Sequence, residues 1–243
     1  MPSSQPHPLL FFDLDNTLID RDAVFRSWLQ DEASAGRLGD SPDVVLEQIL
    51  ELDDSGYGRR EALYTFMRER RAMSADSFDA WSSFDDWFAQ SVEGMVRHLR
   101  PDPALQSRLG SLGRRASLVL VSNGGSATQR AKLDKADLAR FFSAVVISGE
   151  VGASKPERTI FDRAVQTMGN PPGRRIFIGD RPLEDVVGAS KAGMETVWVQ
   201  GHQRWPEDLP PPDHTVPDRE ALALDSKWWD GLLATTPTRE IAV

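Results

Sequence analysis

Hydrophobic positions along this chain follow two rhythms. Short unbroken apolar runs mark one, and a long stretch with helical spacing marks the other. The first run, Leu9-Leu10-Phe11-Phe12, stops abruptly at Asp13-Leu14-Asp15-Asn16-Thr17-Leu18. A run this short, apolar at consecutive positions, fits a strand buried on both faces of a parallel sheet. From Ala23 to Met95 the spacing turns helical. Ala23, Val24, Phe25, Trp28 and Leu29 share one face, and Val44, Val45, Leu46, Ile49, Leu50 and Leu52 a second. Leu63, Tyr64, Phe66 and Met67 form a third, and Phe78, Trp81, Phe84, Trp87, Phe88, Val92 and Met95 a fourth. Asp40-Ser41-Pro42 marks a helix start, with Asp or Ser as cap and Pro in the first turn. Gly56 and Gly58 interrupt the block. Nothing in it reads as strand.

After Pro101-Asp102-Pro103 the apolar runs return. A helix from about Ala104 to Leu112 leads into the strand Ser117–Val121, and a further helix ends near Ala136. The strand Ala144–Ile147 runs into a loop from Ser148 to Ser154, followed by a helix carrying Ile160, Phe161, Ala164 and Val165. Arg175–Ile178 is the next strand, Pro182 opens a helix that ends at Gly193, and Thr196–Val199 is a fifth strand. Alternating strands and helices with continuous apolar strands predict an α/β fold, a doubly wound parallel sheet. The helical block then reads as an all-helical cap domain over 19–100, inserted into a core of 1–18 and 101–243. Beyond Val199 the chain is expected to be irregular from Gly201 to Pro217, with a strand near His214–Val216 and a short helix through Leu224. Trp228 and Trp229 are expected to pack back on the body, and 1–8 and 231–243 to form loose tails.

Composition narrows the function classes. The 243 residues suffice for a sizeable core, and 40% apolar with 27% charged residues is ordinary globular usage. Twenty-eight basic against 37 acidic residues leave a net charge of −9. That argues against a nucleic-acid partner, which requires a positive surface to release counterions. It leaves room for a small anionic substrate held by a local positive focus. The absence of cysteine excludes disulfides and thiolate metal sites and fits a reducing compartment. No apolar run approaches the ~20 residues that span a bilayer, and Met1 to Pro8 lacks the basic and apolar regions of a secretory signal. The expectation is a cytoplasmic protein with no membrane partner, monomer or homodimer.

The candidate chemistry sits at strand ends, where ligands bind in such sheets. Asp13 is a carboxylate able to act as a covalent nucleophile toward phosphorus. Asp15 is placed to give a proton to a leaving oxygen and later take one from water. Ser122 offers a hydroxyl, and Asn123, Gly124 and Gly125 offer backbone N–H groups at a helix start, a cradle for an anion. Lys155 supplies a fixed positive charge for a phosphoryl group in transfer. Asp180 and Asp185 are spaced for an oxygen-ligated hard cation such as Mg²⁺. Each cluster has a plain alternative: Asp and Asn cap turns, Ser-Asn-Gly is a common turn, and a lone Lys before Pro is usually a surface residue. Four such clusters in order, each closing a strand or opening a helix, favour the chemical reading. The aromatic positions near Trp81 to Phe88 read as packed core, and Arg68-Glu69-Arg70-Arg71 as a solvated face.

These segments carry a resemblance. Asp13-Leu14-Asp15-Asn16-Thr17, Ser122-Asn123-Gly124, Ser154-Lys155-Pro156 with Ile160-Phe161, and Gly179-Asp180-Arg181-Pro182-Leu183-Glu184-Asp185 with Gly188-Ala189 are similar to the motifs of the haloacid dehalogenase-like hydrolase superfamily. The match runs from about Leu9 to Val199, in the branch with a helical cap inserted after the first motif. The resemblance implies a Rossmann-like core and a Mg²⁺-dependent phosphatase acting on a small phosphorylated metabolite through an aspartyl-phosphate. It implies Asp13 as nucleophile and metal ligand, and Asp15 as general acid/base lending its backbone carbonyl to the metal. Asp180 becomes a direct metal ligand and Asp185 an outer partner. Thr17, Ser122, Asn123, Gly124 and Lys155 would hold the phosphoryl group. Arg181 is bulkier than the pattern leads one to expect. A sugar-phosphate mutase would use the same residues. A haloacid dehalogenase would lack an acid at Asp15, since a departing halide needs no proton. A non-catalytic relative would have lost a catalytic residue, and none is missing.

Overall fold

The computed structural model describes residues 7–39, 41–72 and 81–234. The chain divides into two compact units, Asp20–Leu99 and a discontinuous one of Met1–Ile19 with Arg100–Val243.

The discontinuous unit is built on six parallel strands: β1 (Leu9–Phe12), β2 (Ser117–Ser122), β3 (Ala144–Ile147), β4 (Arg175–Gly179), β5 (Glu195–Val199) and β6 (His214–Val216). Their order is β3-β2-β1-β4-β5-β6, with β1 in parallel register against both β2 and β4. The winding therefore reverses at β1, and the crevice such a reversal opens lies beyond the residue that follows Phe12. Both faces of β1 are buried. Leu9 and Phe11 pack with Val119, Val121, Phe161 and Phe177 in one layer. Strand alternation turns Phe12 to the other face, where its ring lies 6.2 Å from both Phe142 and Trp229. The connecting helices are α5 (Pro103–Leu112), α6 (Ser126–Lys135), α7 (Ser148–Val151), α8 (Arg158–Thr167), α9 (Gly188–Lys191), α10 (Arg219–Leu224) and α11 (Ser226–Ala234). Asp102 caps α5 by accepting from the Ala104 and Leu105 N–H groups.

Three expectations about the elements and tails of this unit differ from the structure. Ser148 to Ser154 is not all loop: one helical turn forms because Gly152 adopts φ +73° and returns its N–H to the Ser148 carbonyl at 2.9 Å. Residues 231–234 are not a loose tail. They complete α11, whose Trp229 and Leu232 are buried, with the Trp229 indole N–H donating to the Leu222 carbonyl at 2.8 Å and Arg174 Nη1 to the Leu232 carbonyl at 2.8 Å. Pro8 is also tied down, its carbonyl accepting from the Ser117 N–H at 3.0 Å. The remaining tail positions, 1–6 and 235–243, lie outside the described residues.

The second unit holds four helices, α1 (Arg21–Ser34), α2 (Pro42–Asp53), α3 (Arg60–Ala72) and α4 (Phe84–His98). It begins and ends one residue inside the expected 19–100. Asp20 caps α1 by accepting from the Ala23 N–H, and Ser83 caps α4 by accepting from the Asp86 N–H. Ser41 precedes Pro42 without a side-chain capping bond; Asp40 and Phe78 lie outside the described residues. Phe25, Trp28, Leu29, Ile49, Met67 and Trp87 form the centre of its core. Val44 and Leu52 miss that core, because Val45, Leu46 and Ile49 set the inward stripe of α2 and leave Val44 61% exposed.

This unit also buries charge. Asp53 is 1% exposed and is bridged by both Arg21 and Arg60, at 2.7 Å from Arg21 Nη2 and 2.7 Å from Arg60 Nη1. Arg71 is buried rather than solvated. It pairs with Glu32 and lies 4.5 Å over the Trp81 ring. Its partners come from elsewhere in the fold, so the run of charges around it could not reveal them.

Candidate active site

Two clusters of polar side chains gather beyond the carboxyl ends of β1, β2 and β4. The first is centred on Lys155, whose ammonium lies 2.5 Å from Asp13 Oδ1 and 2.7 Å from Asp185 Oδ1. Asp13 extends the β1 ladder by one residue, its N–H donating to the Ile178 carbonyl at 2.9 Å, so the carboxyl emerges at the rim of the sheet. Asp180 follows β4. Its carboxylate accepts from the Thr17 hydroxyl at 3.4 Å and Gln203 Nε2 at 3.3 Å, and its carbonyl from the Trp198 indole N–H at 2.8 Å. Asp185 lies on a π-helical turn, Pro182–Val187, and its Oδ2 accepts the Arg181 N–H at 3.0 Å.

Glycine is required where the backbone is closely approached. A Cβ on Gly179 would fall 2.4 Å from the Asp185 carboxyl, and one on Gly188 would fall 2.9 Å from Pro156 Cα. These two positions let the segments carrying Asp180, Asp185 and Lys155 converge. Asn123 completes the mounting of Lys155 with a reciprocal pair. Its Nδ2 donates to the Lys155 carbonyl at 3.0 Å, and the Lys155 N–H donates to its Oδ1 at 2.9 Å.

Electrostatics make this cluster unusual. Asp13, Asp180 and Asp185 are all buried, and one oxygen from each lies within 4.8 Å of the others. Three carboxylates against one ammonium leave a formal charge of −2 when all are ionised. Burial pushes the Asp13 carboxyl up to about 7, with Lys155 opposing the shift and Asp185 and Asp15 adding to it. Burial, followed by the charges of Asp185 and Asp13, raises Asp180 well above the usual carboxylate range. Burial alone would lower the Lys155 ammonium, but Asp13 and Asp185 outweigh it and raise it above the ordinary lysine value. An all-oxygen set with two surplus negative charges suits a hard divalent cation. The residues present therefore fit Mg²⁺ in both donor type and charge.

The second cluster surrounds Asp15. Its carboxylate is not among the three grouped acids. Lys132 Nζ lies 2.7 Å from each of its oxygens, and Gln129 Nε2 donates to its Oδ2 at 3.0 Å. The same Gln129 nitrogen lies 2.6 Å from Ser122 Oγ, linking the ends of β1 and β2. The Gly124 N–H, expected to face an anion, donates instead to Ser148 Oγ at 2.9 Å, while Gly149 returns its N–H to the Gly124 carbonyl at 3.0 Å. The loop after β2 is thereby clamped to the start of α7. Thr17 is fully buried with its hydroxyl on Asp180. Arg181 pairs with Glu184 at 3.6 Å.

Sequence reasoning missed Gln129, Lys132, Trp198 and Gln203. A signal existed for the first two. Gln129, Lys132, Leu133 and Ala136 follow the i, i+3, i+4, i+7 spacing of one inward helical face, and all four are buried. Two polar members on such a stripe mark a site.

Comparison with known proteins places this geometry in a family. The profile described as haloacid dehalogenase-like hydrolase matches residues 10–199. The pyrimidine 5'-nucleotidase YjjG of Escherichia coli is 35% identical over 122 residues, 49% of this chain and 54% of that protein, so only about half of that relative's length is matched. The N-acylneuraminate-9-phosphatase of Mus musculus is 26% identical across 84% of this chain and 87% of its own. Among solved structures, a 2-haloacid dehalogenase from Pseudomonas syringae superposes with a TM-score of 0.57 at 25% identity, covering 92% of this chain and 99% of that one. A profile match across most of the chain, over a doubly wound sheet with acids at its switch point, has one reading: the chain belongs to the haloacid dehalogenase-like hydrolase family.

Proposed function

We propose that this chain is a Mg²⁺-dependent phosphatase that hydrolyses a small phosphorylated metabolite through an aspartyl-phosphate on Asp13. The observation that carries the reading is the buried group of Asp13, Asp180 and Asp185 around Lys155, with a second acid, Asp15, two residues from the first. Asp13 attacks phosphorus, the bond to the leaving oxygen breaks, and Asp15 supplies the proton that oxygen needs. In the second half Asp15 takes a proton from water, which attacks the phosphoryl group and frees Asp13. Lys155 holds the Asp13 carboxylate in place and offsets the phosphoryl charge. Ser122 binds the phosphoryl oxygens together with the Asn123 N–H, the Gly124 N–H being taken by Ser148 Oγ. Mg²⁺, held by Asp13, Asp180 and the Asp15 carbonyl with Asp185 as an outer partner, would supply Lewis-acid charge stabilisation at the transferring group.

Asp15 also separates this reading from dehalogenation, because a halide leaves without a proton. The relatives' names point to a pyrimidine 5'-nucleotide or N-acylneuraminate 9-phosphate as substrates for a first screen. The test is turnover of para-nitrophenyl phosphate, followed by a panel of phosphorylated metabolites ranked by kcat/KM. Activity is expected to require Mg²⁺ and to vanish in Asp13→Asn. Full activity in excess chelator, or in that variant, would sink the mechanism. Isomerisation of a sugar 1-phosphate without release of phosphate would replace hydrolysis by mutase chemistry.

A further inference from the structure

We infer that Gln129 and Lys132 are positioning residues for the proton-transfer half of the site, holding Asp15 and Ser122 in fixed relation to one another. The inference rests on the phosphatase reading above and extends it to two side chains on α6. Both are polar groups on the buried face of that helix, at 1% and 6% exposure. An ammonium buried there is costly unless it is paired, and Lys132 meets both oxygens of Asp15 at 2.7 Å. The Asp15 side chain itself keeps 24% exposure, so the pair fixes the carboxylate without sealing it away.

Gln129 adds a direction. One amide nitrogen serves two acceptors, Asp15 Oδ2 at 3.0 Å and Ser122 Oγ at 2.6 Å. A hydroxyl that accepts from an amide N–H keeps its own hydrogen to donate elsewhere. Ser122 is thereby set as a donor, the role an anionic phosphoryl oxygen requires. Asp15 gives a proton in one half of the reaction and takes one in the other. What it needs from its neighbours is a fixed place beside the reacting oxygen, since small misplacements of a catalytic group cost large factors in rate.

A purely structural salt bridge and a positioning clamp predict different kinetics. The experiment measures kcat/KM for para-nitrophenyl, phenyl and alkyl phosphates with wild type, Lys132→Met, Lys132→Arg, Gln129→Leu and Asp15→Asn. General-acid assistance is worth about 10²–10⁴-fold and matters least when the leaving oxygen is already acidic. Lys132→Met and Gln129→Leu are expected to lose about tenfold more on phenyl phosphate than on para-nitrophenyl phosphate, in the same direction as Asp15→Asn. Lys132→Arg recovers part of that loss, and Asp15→Asn with Lys132→Met loses no more than Asp15→Asn alone. Equal losses on every ester in folded variants, or losses that multiply with Asp15→Asn, would overturn the inference. If Lys132→Met does not fold, the neutral exchange Gln129→Leu decides by the same ratio. Failure of the underlying reading looks different: wild type itself then shows no Mg²⁺-dependent hydrolysis of any of these esters.

Discussion

The two units of this protein bury charge in opposite ways. In the helical unit each buried carboxylate among the described residues has at least as many cations around it as it needs. Asp53 has Arg21 and Arg60, and Glu32 has Arg37 and Arg71. In the α/β unit Asp13, Asp180 and Asp185 share one Lys155. Balanced burial is a structural solution, costly to break and chemically quiet. Unbalanced burial holds carboxylates in an unfavourable state that a ligand can relieve. The contrast locates function in the molecule better than the mere presence of acids does.

Breaking the unbalanced cluster at its centre gives the largest expected effect. Asp13→Asn removes the proposed nucleophile and is expected to cut phosphatase turnover by about 10³-fold or more, measured at saturating Mg²⁺. Breaking a balanced pair acts on stability instead. Asp53→Ala leaves Arg21 buried without its main partner and is expected to cost about 3–5 kcal/mol in denaturant unfolding. It should leave the Mg²⁺-induced rise in Tm in place.

Asp180→Asn is expected to act with the opposite sign. Removing one of three crowded carboxylates is expected to raise the Tm of the metal-free protein, on the order of 2–4 °C for each ~1 kcal/mol of repulsion relieved in a chain of this size. The same substitution weakens stabilisation by Mg²⁺. A metal-free Tm that falls in this variant would contradict the idea of surplus charge.

The smallest effect is the pH dependence of the metal-free protein. Asp13 is raised to about 7 and Asp180 is raised in the same direction, so the folded state binds these protons more tightly than the unfolded chain. Their stabilising contribution is complete below the ordinary carboxylate range and is lost as pH rises through about 7. Metal-free Tm is therefore expected to drift down between pH 5 and 8, the range about the Asp13 value. The stabilisation by added Mg²⁺ grows over the same interval, because the ligands must be ionised to bind it.

Much of the α/β unit was legible from one feature, the length of its apolar runs. Leu9–Phe12 is a strand with the bounds of its run, because a strand covered on both faces has no polar position to blur its ends. Asp13 and Asp180 followed, since each stands at the end of such a strand, whereas Asp15 and Asp185 lie further along the same segments. What could not be read was pairing between distant segments. Asp53 looks like one more acid at the end of a helix until Arg21 and Arg60 close on it. Lys132 looks like a surface lysine until its place on a buried stripe is noticed. The Gly124 amide was expected to face an anion, yet it meets Ser148 from a neighbouring strand end. Local pattern reports what a residue must bury, whereas the partner that makes burial tolerable comes from the fold.

On the proposed mechanism Asp13 carries the phosphoryl group. Its most direct test is to quench turnover in acid within the first cycle, reduce the trapped acyl phosphate with borohydride, and map the product by peptide mass spectrometry. Homoserine is expected in place of aspartate at position 13, formed only when substrate and Mg²⁺ are both present. Substrate-dependent labelling of any other residue, or steady hydrolysis with Asp13 unmodified at every time point, would contradict it.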